Sequence, residues 1–353
     1  MSCLRLSAVI DRPRSARAST FAALLVCGVV VACAVALLAG AGSAGSAAAP
    51  PTARPTAGPV QHVTYAPHAP FAVGEIVVHY VDTSRAVHYP GQPAQPRPLT
   101  TVIRYPAAGA ASQVDIFRAA PATASGPFPL IVFGHGFNVT PAIYARLLQA
   151  WASAGYVVVA PIFALTNKNA PGGANESDIV NQPRDMSFVI TQMLAASTRT
   201  HGILSRLVDP HAIAVSGQSD GGETALATAY DSYYLDRRID AAVILSGAEL
   251  PGSGFYFPKP SPPLLASQGT ADVINLPGNT YAFFHAAPAP KFLLRLLGAP
   301  HLGPYTDEQP QLGVVERATV AFLDRYLKHL PGARARLWSA GDVPGVASLS
   351  TAR

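Results

Sequence analysis

Along most of this chain, short apolar runs alternate with longer amphipathic stretches, and that rhythm predicts strand and helix in turn. Residues 73–81 (VGEIVVHYV) and 99–105 (LTTVIRY) read as strands with a proline-rich loop, 90–98, between them. They open the sheet as an antiparallel pair. After them the strand–helix alternation argues for parallel pairing. Strands are predicted at 130–133 (LIVF), 157–160 (VVVA), 213–216 (IAVS), 242–245 (AVIL), 264–267 (LLAS) and 291–297 (KFLLRLL), the last one closing the sheet. Helices are predicted at 141–152, 178–196, 223–231 and 314–329. In the second of these Ile179, Phe188, Val189, Met193 and Leu194 are spaced for one buried face. In the last, Val315, Thr319, Phe322, Leu323 and Tyr326 are. No internal repeat interrupts the pattern. It predicts one α/β domain over 71–330: a mostly parallel central sheet, an antiparallel N-terminal strand pair, and helices on both faces. The small, polar tail, 331–353, is expected to be flexible.

The front of the chain breaks the rhythm. Arg5, Arg12, Arg14 and Arg17 precede an apolar run over 21–38, and small residues follow through Ala47, Ala48 and Ala49. That order reads as an export signal, or as a membrane leader at the lower length limit for a span. Val30, Val31, Ala32 and Cys33 resemble a lipoprotein box, although the apolar run continues past Cys33. The protein is therefore expected to be secreted or held at the cell envelope, with membrane contact only through an uncleaved leader. Residues 50–70, rich in Ala and Pro, are expected to be a disordered linker.

Composition sharpens this picture in two places. All three cysteines (Cys3, Cys27, Cys33) lie in the leader, so the body has no thiol nucleophile, disulfide or thiolate metal site. Of the net charge of +5, the four leader arginines against Asp11 carry +3, which leaves +2 for the rest. A body so close to neutral gives no electrostatic case for nucleic acid.

The chemistry centres on Gly217-Gln218-Ser219-Asp220-Gly221, which follows a predicted strand and precedes a predicted helix. A serine held clear of its own backbone needs a sharp turn, and crowding there demands residues without a Cβ. A serine hydroxyl is a weak nucleophile and needs a base, itself oriented by an acid. Downstream histidines are His285, His301 and His329. The first and last fall in predicted helices, whereas His301 follows a strand on a loop, where parallel sheets present ligands. Asp272, 29 positions before it, follows the strand 264–267. Asp240 precedes a strand and so sits at the wrong edge, and Glu249 is a rival acid after 242–245. Two backbone N–H groups must meet the oxyanion. The residue after the nucleophile, Asp220, and Phe137 in the loop Gly134-His135-Gly136-Phe137-Asn138 are the expected donors. His135 is expected to hold that loop by hydrogen bonds.

The order HGF, GQSDGG, GTAD, GAPH resembles the α/β-hydrolase superfamily, and within it the dienelactone-hydrolase-like branch of chlorophyllases, platelet-activating-factor acetylhydrolases and bacterial polyester hydrolases. The similarity runs over about 73–330, and Gln182-Pro183-Arg184-Asp185 matches a structural segment of that branch. The body lacks the C-terminal cysteine pair usual in the exported polyester hydrolases. The resemblance implies a carboxylic ester hydrolase with no metal and no cofactor, acting on a small or lipid-like ester. Phe137, Ile162 and Phe163 are the expected pocket walls, and the aromatic loop 249–259 is a candidate cover. An amidase or acyltransferase using the same triad, or a non-catalytic envelope binding protein on this scaffold, are the alternatives.

Overall fold

A computed structural model describes residues 63–351. The leader, and residues 50–62 of the expected linker, lie outside them. Within them the elements run β1 (Ala72–Val87), β2 (Gln95–Ala107), the two-residue β3 (Ile116–Phe117), β4 (Phe128–Gly134), α1 (Ala145–Ser153), β5 (Val157–Pro161), α2 (Gln182–Ser197), β6 (Val208–Gln218) and α3 (Asp220–Tyr230). They continue with β7 (Ala241–Leu245), β8 (Leu264–Gly269), α4 (Pro277–Ala286), β9 (Lys291–Leu296), a short turn α5 (Gly303–Thr306), α6 (Gln311–Tyr326), α7 (Ala333–Gly341) and β10 (Ala347–Thr351). One ten-stranded sheet has the order β10-β9-β8-β7-β6-β4-β5-β2-β1-β3. Strands β4 to β9 are mutually parallel, β1 and β2 form the antiparallel pair, and β2 also runs antiparallel to β5. This is the arrangement of an α/β-hydrolase fold.

The short apolar runs have no polar face because helices cover the parallel strands on both sides. Period-two alternation sorts their side chains into two cores. Leu130, Val132, Ile213, Val215 and Ile244 point to a layer with Met186, Val189 and Met193 of α2 and Leu226 of α3. Ile131, Phe133, Ala214, Val243 and Leu245 point to the other layer, with Leu147 and Trp151 of α1 and Phe322 of α6. The buried Trp151 indole N–H donates to Thr319 Oγ1 at 2.8 Å, so α1 and α6 are tied as well as packed.

Several elements differ from the sequence expectation, each for a physical reason. Strand β2 begins at Gln95, inside the proline-rich stretch expected as a loop. Its prolines fit because β5 pairs only with Thr101 to Arg104, and apart from the bond of Ile162 to Thr100 the segment before Thr101, with both prolines, pairs with β1 alone. The tail expected to be flexible is ordered: α7 buries Leu337, and β10 adds an antiparallel edge strand to β9. Thus β9 does not close the sheet. The linker expectation fails at its end, where Tyr65 donates to Asp209 at 2.7 Å. His329 lies beyond α6, not in it, with φ of 53°.

The buried face of α2 also holds a charge. Asp185 is fully buried and grips Arg97 of β2 through two bonds of 2.7 Å. Arg97 reaches Asp178 at 2.6 and 3.0 Å, and Arg85 reaches Asp185 at 2.6 Å. Arg85 sits at the register shift between Asp82 and Ala86 in β1 and also bonds Asp82. This network pins the start of α2 to the antiparallel pair. Removing one partner leaves the others charged and buried. Asp185→Ala should therefore destabilise the fold by about 3–5 kcal/mol in urea unfolding. A loss below about 1 kcal/mol would show that the network carries no such weight.

Candidate active site

Strand β6 delivers Ser219 to the carboxyl edge of the sheet, and α3 starts at the next residue. Ser219 has φ 57° and ψ −126°, a left-handed corner that a side-chain-bearing residue adopts at a cost of about 1–3 kcal/mol. The flanking glycines make the corner sterically feasible. A Cβ on Gly217 would land on the carbonyl of Gly221, and one on Gly221 would land on the carbonyl of Gly134. The Ser219 N–H donates to Leu245 O at 3.0 Å, and its carbonyl accepts from Glu223 N at 2.9 Å, so both sides of the corner are fixed.

His301 and Asp272 come to the same edge on the loops after β9 and β8. His301 Nε2 lies 2.9 Å from Ser219 Oγ, and His301 Nδ1 lies 2.7 Å from Asp272 Oδ2. The carboxylate is acceptor-only, so it fixes the proton on Nδ1 and leaves the Nε2 lone pair for the serine hydroxyl. Asp272 is buried, and its Oδ1 accepts from the N–H groups of Ile274 and Asn275, each at 2.9 Å. Gln268 Nε2 donates to Oδ2 at 3.1 Å. The rival acids lie elsewhere. Asp240 precedes β7 and accepts the Ile213 N–H, midway along β6, at 3.1 Å, and Glu249 is solvent-exposed.

The loop after β4 passes beside the serine: a Cβ on Gly136 would stand 3.2 Å from Ser219 Cβ. Phe137 follows it with its ring 37% exposed. His135 is fully buried between neighbours: its Nε2 accepts the Phe163 N–H at 3.1 Å, so Nδ1 donates to Gly136 O at 2.8 Å. Burial pushes its imidazole down to about 4, so it stays neutral and holds the loop.

One expected pocket wall is misplaced. The Phe163 ring is fully buried in the core and stacks on His135 at 4.9 Å between centroids, so it faces inward and not toward a substrate. Ile162, half-buried, follows β5 and bonds Thr100 O through its N–H. The aromatic loop 249–259 is braced within itself by Leu250 N–H to Tyr256 Oη at 2.8 Å and tied to the end of α3 by Phe257 N–H to Tyr230 O at 2.8 Å. Sequence reasoning passed over Tyr144, Gln218 and Gln268, all buried and all bonded to the site; the adjacency of Gln218 to the serine was the available signal.

Two carboxylates stand in the first turn of α3. Burial, with Glu176 nearby, pushes Asp220 up to about 6, and burial, with Asp220 and Glu176 nearby, pushes Glu223 up to about 8. A carboxyl raised above its ordinary 4.5 favours folding while protonated, and that contribution disappears as pH rises through about 8. Glu223→Gln removes the titration. Its melting temperature relative to the parent should rise by a few degrees between pH 5 and pH 8.5. An equal difference at both pH values would contradict the assignment.

Known proteins resemble this chain in the same region. A chlorophyllase family model matches residues 103–247, which takes in Ser219 and ends before Asp272 and His301. Chlorophyllase-1 of Arabidopsis thaliana is 28% identical over 160 residues, 44% of this chain and 45% of that protein. The chain thus spans about half the length of the curated relative it matches. A solved ferulic acid esterase from Streptomyces cinnamoneus superposes with a TM-score of 0.57 at 22% identity, covering 82% of this chain and 98% of that one. Its likeness extends the shared fold to the strands that carry the second half of the site. The chain shares its fold with this esterase, and residues 103–247 within it resemble the chlorophyllases.

Proposed function

We propose that this protein is an exported serine hydrolase that cleaves carboxylic esters through an acyl-enzyme on Ser219. The observation that carries the reading is the unbroken chain from Ser219 Oγ through His301 to Asp272, at 2.9 and 2.7 Å. Ser219 Oγ attacks the ester carbonyl while His301 Nε2 takes its proton. The tetrahedral oxyanion is met by the backbone N–H groups of Phe137 and Asp220, the latter at the positive end of α3. Collapse expels the alcohol, which takes the proton from His301. Water then attacks the acyl carbonyl, gives a proton to His301, and the acid leaves as that proton returns to Ser219. Asp272 keeps the ring in the required tautomer throughout. The names of the related proteins, a chlorophyllase and a ferulic acid esterase, agree with ester chemistry. The arginine-rich, apolar leader supports export.

The rim points to an apolar, lipid-like acyl group. Val273, Ile274 and Leu276, directly after the acid, are 80%, 71% and 58% exposed, and Leu302, next to the base, is 36% exposed. Burying each such side chain against a ligand is worth about 1.5–3 kcal/mol. Their exposure beside the reacting groups therefore favours long acyl chains over short ones.

A fluorophosphonate probe should label Ser219, and Ser219→Ala should abolish p-nitrophenyl butyrate turnover; unchanged turnover would refute the mechanism. On a panel of graded acyl esters, Val273→Ser with Ile274→Ser should raise KM for long chains about tenfold or more and leave acetate within about twofold. Equal changes along the panel would remove the rim from substrate binding. N-terminal sequencing of protein recovered from the medium should begin past the leader. Recovery only in the cytoplasmic fraction would refute export.

A further inference from the structure

A buried chain of side-chain hydrogen bonds runs beneath the reacting atoms and joins three loops. The Gly136 N–H donates to Tyr144 Oη at 3.3 Å, and the Tyr144 hydroxyl donates to Gln218 Oε1 at 2.7 Å. Gln218 Nε2 donates to the His301 carbonyl at 3.0 Å and stands 3.2 Å from His301 Nε2. Tyr144 is fully buried and Gln218 is 1% exposed, so water does not compete for these bonds. The amide orientation is determined by its neighbours. A carbonyl can only accept, so Nε2 must face His301 O, and Oε1 must then face the tyrosine hydroxyl.

This geometry has a chemical consequence. Asp272 places the His301 proton on Nδ1, so Nε2 offers one lone pair. The amide nitrogen of Gln218 and the hydroxyl of Ser219 both stand within hydrogen-bond distance of that nitrogen, at 3.2 and 2.9 Å. A donor there is satisfied only while Nε2 is unprotonated, and it opposes the imidazolium that forms during the reaction. The charged group touching His301 is Asp272; the other titratable side chains on the surrounding elements are Asp220 and Glu223 on α3, Tyr305 on α5 and Tyr144 itself.

We propose that Gln218 is the positioning residue for the base: through Tyr144 it clamps the His301 loop to the oxyanion loop, and through its second N–H it holds His301 Nε2 in the proton-accepting form. This rests on His301 being the general base. The clamp fixes where the ring stands; the competing donor sets the pH at which it begins to work. A residue that merely fills space would do only the first.

The test compares three variants with the parent in kcat and KM for a soluble short ester across pH. Gln218→Met keeps length and volume but has neither donor nor acceptor, and Gln218→Asn keeps the amide but falls short of His301. In both, the acid limb of kcat/KM should move to higher pH by about half a unit or more, with kcat reduced about tenfold and KM within about twofold. Tyr144→Phe breaks the clamp and keeps the donor, so it should lower kcat and leave the limb within about 0.2 units. A limb unmoved in whichever Gln218 variant folds overturns the proposal. So does a limb displaced equally in Tyr144→Phe. If instead the parent is not labelled at Ser219 by a fluorophosphonate and Ser219→Ala retains full turnover, the acyl-transfer reading fails, a result distinct from an active parent with an unmoved limb.

Discussion

The architecture of the site depends on one close approach: the end of β4, the end of β6 and the first turn of α3 meet backbone to backbone. A Cβ on Gly134 would stand 2.9 Å from Gly221 Cα, and those on Gly217 and Gly221 would overlap carbonyl oxygens. Without side chains at these points, α3 can start directly under Ser219 with its free N–H groups at that end. The same approach draws the Gly136 loop against the serine. The left-handed φ of Ser219 is the strained consequence, and it persists because β7 and α3 hold both of its backbone groups.

Parallel strands ending together leave backbone groups that the next loops do not automatically satisfy. Here two buried glutamines, Gln218 and Gln268, fill that gap, and a third, Gln182, ties side chains together. Gln182 accepts from Thr224 of α3 at 2.7 Å and donates to Thr166 at 2.8 Å. Gln218 links the loops of Tyr144 and His301. Gln268 accepts from Thr280 at 2.7 Å and donates to the carbonyls of Gly269 and Asn275 as well as to Asp272. An amide suits this position because it offers a donor and an acceptor at opposite corners and carries no charge to be desolvated. Gln218 and Gln182 therefore join segments distant in sequence, whereas Gln268 braces its own loop after β8 and with it Asp272.

The parts legible in the sequence were those governed by local pattern. Four-residue apolar runs, and the seven-residue run at 291–297, marked the buried parallel strands, and the order of serine, acid and histidine selected side chains that the fold brings into contact. What escaped notice was governed by long-range pairing. Strand β10 (ASLST) buries only Ala347 and Leu349 among small polar residues, so nothing in its composition announces a strand until β9 is there to pair with it. Helix α7 (ARARLWSAG) reads as a polar tail because a single leucine anchors its apolar side. Phe163 looked like a pocket residue because it follows a strand at the carboxyl edge; the backbone instead turns inward there, held by the bond from its N–H to His135. Arg97 lay in a proline-rich stretch that resembled loop, and its two buried carboxylate partners are 81 and 88 positions away.

The acids beside the nucleophile present an electrostatic problem that burial partly resolves. Asp220 and Glu223 occupy the turn of α3 whose N–H groups would, in the proposed mechanism, stabilise the oxyanion, with Glu176 close enough to raise both. Three full negative charges there would oppose that oxyanion by several kcal/mol at the effective dielectric of a protein surface. Burial and mutual repulsion instead hold Glu223 near 8, so at neutral pH it is mostly the uncharged acid. Asp220, near 6, keeps its charge there and gives it up in mildly acid solution. One Asp220 oxygen, Oδ2, is buried with no hydrogen-bond partner among the described residues. Proton uptake on α3 itself thus changes the charge beside Ser219. In the proposed mechanism, the helix that would supply the stabilising N–H groups also carries the carboxyls that would weaken them when ionised.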